Sequence, residues 1–208
     1  VNRNVDEDDS VESYTGKIFE SAMASLDQVH HSLDMSAVNR AVDLLTQAKK
    51  IAFFGLGSSA AVAHDAMNKF FRFNVPVIYS DDIVLQRMSC MNCDDDDVVV
   101  IISHTGRTKS LVELAQLARE NDAMVIALTS AGTPLAREAT LAITLDVPED
   151  TDIYMPMVSR LAQLTVIDVL ATGFTLRRGK FRDNLKRVKE ALKESRFDKE
   201  PFVPSDNQ

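Results

Sequence analysis

Two short stretches of this 208-residue chain combine glycines with hydroxyl side chains where an apolar run gives way to a helix. The first, Gly55-Leu56-Gly57-Ser58-Ser59-Ala60, follows the apolar run 51–54. The second, Ser103-His104-Thr105-Gly106-Arg107-Thr108, follows Val98-Val99-Val100-Ile101-Ile102. Glycine permits a tight turn and close backbone approach to a ligand. A helix that begins at such a turn presents unpaired N–H groups and a partial positive charge, which together suit an anion. Ser58, Ser59, Ser103, Thr105 and Thr108 add hydroxyl donors, and Arg107 adds charge nearby. The expected chemistry is phosphate binding. Two other readings stand beside it. Each of Ser58, Ser59 and Thr108, taken singly, has the residue type of a simple helix cap. Gly55-x-Gly57-x-x-Ala60 also fits the dinucleotide fingerprint, with Asp81 near the position of a ribose-binding acid. Against that reading, the second loop carries hydroxyls a dinucleotide does not require, and the chain has little room for a separate substrate domain.

Further groups have reactive residue types. Cys90 and Cys93 have a redox or half-zinc spacing, but no second Cys pair exists and the histidines are His30, His31, His64 and His104. Two thiols in a helix-to-strand connection is the simpler account. Asp94 to Asp97 lack the spaced ligands of a calcium loop and read as a solvated turn. The sequence therefore calls for no metal and no cofactor.

The elements that position the two loops follow from periodicity. Residues 11–33 and 36–49 have helical apolar spacing, with Ser36 a candidate N-cap for the second. Short apolar runs at 51–54, 77–79, 98–102, 124–128 and 141–145 then alternate with helices at about 59–73, 83–91, 108–121, after Pro134, and at 156–176. A basic amphipathic helix follows, with Phe181, Leu185, Val188 and Leu192 on one face. Apolar strands separated by helices predict an α/β fold, a doubly wound five-stranded parallel sheet in the flavodoxin-like order 2-1-3-4-5. In that order the strand direction of winding reverses between the first and third strands, so the two hydroxyl loops fall at the ligand-binding end of the sheet.

Composition narrows the partners. A formal charge of −8 opposes nucleic-acid binding by this chain itself. No apolar run reaches membrane-span length, and the acidic start is unlike a signal peptide, so a cytoplasmic protein without membrane contact is expected. The chain begins without Met. Residues 1–10 read as a linker, 11–195 as the folded domain and 196–208 as a disordered tail.

At the two loops the sequence resembles the sugar isomerase (SIS) domain family, which shows Gly-x-Gly-x-Ser after its first strand and Ser-x-Ser-Gly-x-Thr after its third. Thr105 stands where the family usually has Ser and keeps the hydroxyl. The run Ser103-His104-Thr105-Gly106-Arg107-Thr108-Lys109, the preceding strand and the two leading helices look like the effector domain of RpiR-type bacterial transcription regulators. The resemblance covers about residues 15–195. It implies a phosphorylated sugar or sugar-acid effector such as 2-keto-3-deoxy-6-phosphogluconate, and DNA binding only through a missing N-terminal helix-turn-helix domain. It also implies phosphate contacts from Ser59, Ser103, Thr105 and Thr108, with help from Gly57, Ser58, His104 and Gly106. Arg160 is a candidate for a sugar-acid carboxylate. An isomerase would need a positioned acid and base; His104, Glu149, Asp150 and Asp152 are the candidates, and the resemblance favours a sensor with no catalytic residue. Paired half-sites on DNA suit a homodimer, for which the helices at 11–49 and 181–195 offer apolar faces.

Overall fold

The structure, a computed structural model, describes residues 5–149, 157–179 and 181–195. The strands β1 (Lys50–Gly55), β2 (Val77–Ser80), β3 (Asp97–Ser103), β4 (Met124–Thr129) and β5 (Leu141–Thr144) form one sheet in the order β2-β1-β3-β4-β5. Every pairing is parallel, as the apolar runs predict. Residues alternate across the sheet plane, and the two faces carry two separate cores. Ile51, Phe53, Val98, Val100 and Ile102 point to one face, beneath α1 (Val11–Ser32), α2 (Met35–Gln47), α3 (Ser58–Phe71) and α7 (Val158–Arg178). Ala52, Phe54, Val99, Ile101 and Val125 point to the other, beneath α4 (Ile83–Met91), α5 (Lys109–Glu120) and α6 (Pro134–Glu138).

The two leading helices are part of this fold. Val38, Ala41, Val42 and Leu45 of α2 and Val29 of α1 enter the first core, while Ile18, Phe19 and Met23 of α1 stay exposed. One expectation is corrected here. Ser36 does not cap α2; Asp34 does, its carboxylate accepting from the Ser36 and Ala37 amides. A charged acceptor at a helix N-terminus gains from the helix dipole. Upstream, Ser10 caps α1. Asp9, in a turn with Asp6, accepts from Ser13 and Lys17, and the Lys17 bond in particular holds its carboxyl down at about 2.

The basic helix is α8 (Phe181–Lys193), with Leu185 and Val188 half-buried and Leu192 exposed. The Phe181 side chain and residues 196–208 lie outside the described residues, as do 1–4 of the expected linker. Cys90, on α4, and Cys93, just past it, are buried in the second core. Burial pushes the Cys90 thiol up to about 12, so it packs as a neutral group without thiolate chemistry. Cys93 donates to the Ser89 carbonyl at 3.3 Å.

Candidate functional site

Gly55, the last residue of β1, lies opposite Ile102 of β3, and Ser103, the last of β3, lies opposite Thr129, the last of β4. The turns that leave β1 and β3 therefore start side by side at the carboxyl edge of the sheet. Each leads within a few residues into a helix N-terminus, α3 at Ser58 and α5 at Lys109. The tight first turn depends on Gly55: a Cβ there would stand 2.6 Å from the Ser59 carbonyl oxygen. Gly57 at φ 59° forms the α3 N-cap, and Gly106 shares that φ.

Neither helix start is capped by a side chain. Gly57 has none to offer, and Thr108, although it occupies the N-cap of α5, makes no capping bond. The simple-cap reading of Ser58, Ser59 and Thr108 thus does not describe them: Ser58 and Ser59 sit inside the first turn of α3, and the Thr108 hydroxyl is uncommitted as a cap. Ser59 and Ser103 are buried, Ser58 and His104 half-buried, and Thr105, Arg107 and Thr108 exposed. In the second loop the hydroxyls shape the turn. Ser103 Oγ accepts from the Gly106 amide at 3.2 Å, and Thr105 Oγ1 accepts from the Arg107 amide at 3.4 Å. A hydroxyl that accepts still has its own proton to donate, so both can serve an anion.

Residues not singled out from sequence hold this loop in place. Ser130 donates to the His104 carbonyl through both its amide (3.2 Å) and its hydroxyl (2.7 Å), and the Leu135 amide donates to the Gly106 carbonyl at 3.0 Å. Thr129 and Thr133 place their hydroxyls directly under Gly106. Thr129 Oγ1 is buried without a partner among the described residues. Beside the first loop, the buried Gln86 donates to the carbonyls of Gly55 and Ser80. Its signal in sequence is a polar residue on the inward stripe of α4, between the half-buried Ile83 and the buried Cys90.

Of the carboxylates proposed for acid–base work, Asp150 and Asp152 lie outside the described residues. Glu149 is committed elsewhere. Its carboxylate accepts from the amides of Met157 (2.6 Å), Val158 (2.9 Å) and Ser159 (3.1 Å), filling the N-terminus of α7. Burial alone would push its pKa up, but the Ser159 side chain and these amides outweigh burial and hold it below the usual carboxylate value. Arg160 is exposed on the first turn of α7, and Asp81 is exposed just beyond β2. Among the described residues, the carboxylates grouped closely enough to hold an ion are those of Asp94, Asp95 and Asp96, all exposed. Asp94 accepts from the Asp96 amide, and Asp97 from the Asp94 amide, as a turn requires. Among the same residues no helix is long and apolar enough to cross a membrane.

Comparison with known proteins agrees with this geometry. The SIS domain family matches residues 44–173, which span both loops and all five strands. The HTH-type transcriptional regulator HexR of Escherichia coli K12 is 91% identical across the whole chain, which covers 72% of that protein. The regulator of the same name from Pseudomonas aeruginosa PAO1 is 57% identical over 95% of this chain and 70% of its own length. Both relatives are named as regulators and not as enzymes. The Vibrio vulnificus NanR protein, solved in complex with ManNAc-6P, superposes with a TM-score of 0.82 over 90% of this chain and 72% of that one. At 22% identity this likeness shows the fold. The two hydroxyl loops at the switch point of the sheet, the family match and the full-length relatives agree: the chain belongs to the SIS-domain family, on the branch of the HTH-type transcriptional regulators named HexR.

Proposed function

We propose that this chain is the effector-sensing part of a transcription regulator of sugar metabolism: it binds a phosphorylated sugar or sugar acid and performs no chemistry on it. The observation that carries the reading is the in-register pairing of Gly55 with Ile102. It sets the buried hydroxyls of Ser59 and Ser103 and two helix starts without side-chain caps at one edge of the sheet. Gly57, Ser58, Ser59, Ser103, His104, Thr105, Gly106 and Thr108 form the phosphate site in this reading. The effector in this reading is a phosphorylated sugar acid such as 2-keto-3-deoxy-6-phosphogluconate, which shares with the ManNAc-6P of the NanR complex a phosphorylated sugar and not the carboxylate. The role of Glu149 as the α7 cap counts against an isomerase, because its lone pairs already accept three amides.

Effector binding has a route to the N-terminal helices. Ser130 grips His104 in the second loop; the next residue, Ala131, donates to the Asp146 carboxylate at 3.5 Å, and the Asp146 carbonyl accepts from Gln28 of α1 at 3.3 Å. A ligand shifts such a chain only through different affinities for two states. DNA is contacted through an N-terminal helix-turn-helix domain outside this chain, in a cytoplasmic homodimer whose apolar contacts include Ile18, Phe19 and Met23. A strictly monomeric mass for the full-length protein in solution would remove the dimer.

A thermal-shift screen against phosphorylated sugars, sugar acids, inorganic phosphate and NAD tests the core of the reading. Stabilisation by a phosphorylated sugar acid with no product formed is the expected result. Turnover of a sugar phosphate would make the chain an isomerase, and stabilisation by NAD alone would make the first loop a dinucleotide site.

A further inference from the structure

We propose that Gln86 is the positioning residue of the first phosphate loop: its buried amide holds the end of β1 so that Ser59 meets the ligand. The proposal rests on the sensor reading above and adds a residue that touches no effector.

Gln86 is fully buried in an otherwise apolar layer between α4 and the sheet. A buried amide is unfavourable there unless its donors and acceptor are matched. Its Nε2 donates to the Ser80 carbonyl at 2.8 Å and to the Gly55 carbonyl at 3.2 Å. These are the last residues of β2 and β1, and the β1–β2 pairing has ended at Phe54 opposite Ser80. One side-chain NH2 thus supplies a rung where the backbone no longer offers a donor.

Gly55 is fixed on a second side by α3. A Cβ on Gly55 would lie 2.6 Å from the Ser59 carbonyl oxygen and 3.1 Å from the Ala60 nitrogen, so its α-carbon bears on the first turn of α3. Gln86 grips Gly55 by its carbonyl, Gly55 abuts the Ser59–Ala60 peptide, and Ser59 follows any displacement of Gly55. The other end of the amide is informative too. Gln86 Oε1 is buried with no hydrogen-bond partner among the described residues. Filling the space alone calls for Leu or Met, which carry no such unmatched acceptor. The two donated bonds account for an amide at this position.

The experiment compares wild type, Gln86→Leu, Gln86→Glu and Ser59→Ala. Binding of 2-keto-3-deoxy-6-phosphogluconate is followed by calorimetry, and amide hydrogen exchange is followed without ligand. Loss of the clamp in Gln86→Leu is expected to weaken binding by on the order of tenfold, a displacement effect without loss of any ligand contact. Exchange at residues 56–59 should quicken while β3 and β4 keep their protection. Gln86→Glu, whose buried carboxyl donates while protonated, should at about pH 5 recover part of the affinity and of the protection at 56–59 that Gln86→Leu loses at that pH; a space-filling role predicts no gain of Gln86→Glu over Gln86→Leu. Wild-type affinity in Gln86→Leu alongside weakened Ser59→Ala would overturn the role of Gln86 and leave the sensor reading intact. If wild type itself fails to bind, this effector is excluded and exchange decides the clamp, which unchanged rates at 56–59 in Gln86→Leu would sink. If Gln86→Leu does not fold, Gln86→Met, which fills the space without a donor, takes its place, and wild-type affinity and exchange in that variant overturn the proposal.

Discussion

Replacing Gly106 with alanine should damage this protein far more than the same change at another left-handed glycine. Gly106 and Gly132 have φ of 59° and 70°, so alanine at either one carries the left-handed penalty of roughly 1–2 kcal/mol. At Gly132 nothing stands within 4 Å of the new methyl. At Gly106 the methyl would be 2.2 Å from Thr133 Oγ1, 2.5 Å from Thr129 Oγ1 and 2.5 Å from Thr133 Cβ. Thr133 cannot simply swing away, because its hydroxyl donates to the Ser130 carbonyl at 2.9 Å and accepts from the Ala136 amide at 3.3 Å, the N-cap bond of α6. Overpacking of this kind adds about 1–3 kcal/mol. Gly132→Ala should therefore cost about 1 kcal/mol and Gly106→Ala about 3 kcal/mol. For a chain of this size those losses lower Tm by about 3 °C and about 9 °C. Urea midpoints for the two variants, at unchanged slope, measure the difference directly. Equal losses would refute the reasoning, because they would mean that the space beneath the second loop is open and that Thr129 and Thr133 do not support it. Gly106→Ala should also weaken effector binding, since relief of the clash displaces the loop that carries Ser103, Thr105 and Thr108.

Two further outcomes follow from the same geometry. Ser59→Ala and Ser103→Ala each remove a hydroxyl with little core volume, and should weaken sugar-phosphate affinity by about 1.5–3 kcal/mol in calorimetry, the usual worth of a hydrogen bond to a charged group; unchanged affinity in both would move the pocket elsewhere. Glu149 has a folded pKa below its unfolded value of 4.5, so the stability it contributes is present above that value and is lost as pH falls through the lower, folded one. Protection factors of the amides at residues 157–159 should accordingly fall as pH drops below the usual carboxylate range in wild type, and Glu149→Ala should lack that protection already at neutral pH; protection that persists in the variant would show that another group caps α7.

Much of this molecule is written in local pattern. The five apolar runs are strands because β-branched and aromatic residues recur in short stretches between helical spacings. Gly55, Gly57 and Gly106 mark turns that other residues resist, and the hydroxyls beside them are the residue types an anion site would use. Even the strand order was legible, since right-handed crossovers leave few arrangements for such a pattern. What the linear chain could not disclose lies in contacts between elements distant in sequence. A helical period identifies which face of α4 turns inward, yet not that Gln86 on that face meets two strand ends, 31 residues away at Gly55 and 6 residues away at Ser80. Local propensity makes Ser36 as good a cap as Asp34, and only the path of the chain into α2 selects between them. Glu149 looks as available for proton transfer as any loop carboxylate until the fold brings the α7 amides onto it. Side-chain type and period are properties of neighbours along the chain and survive in the sequence; the partner of a buried polar group is set by packing across the sheet, so it exists only once the sheet has formed.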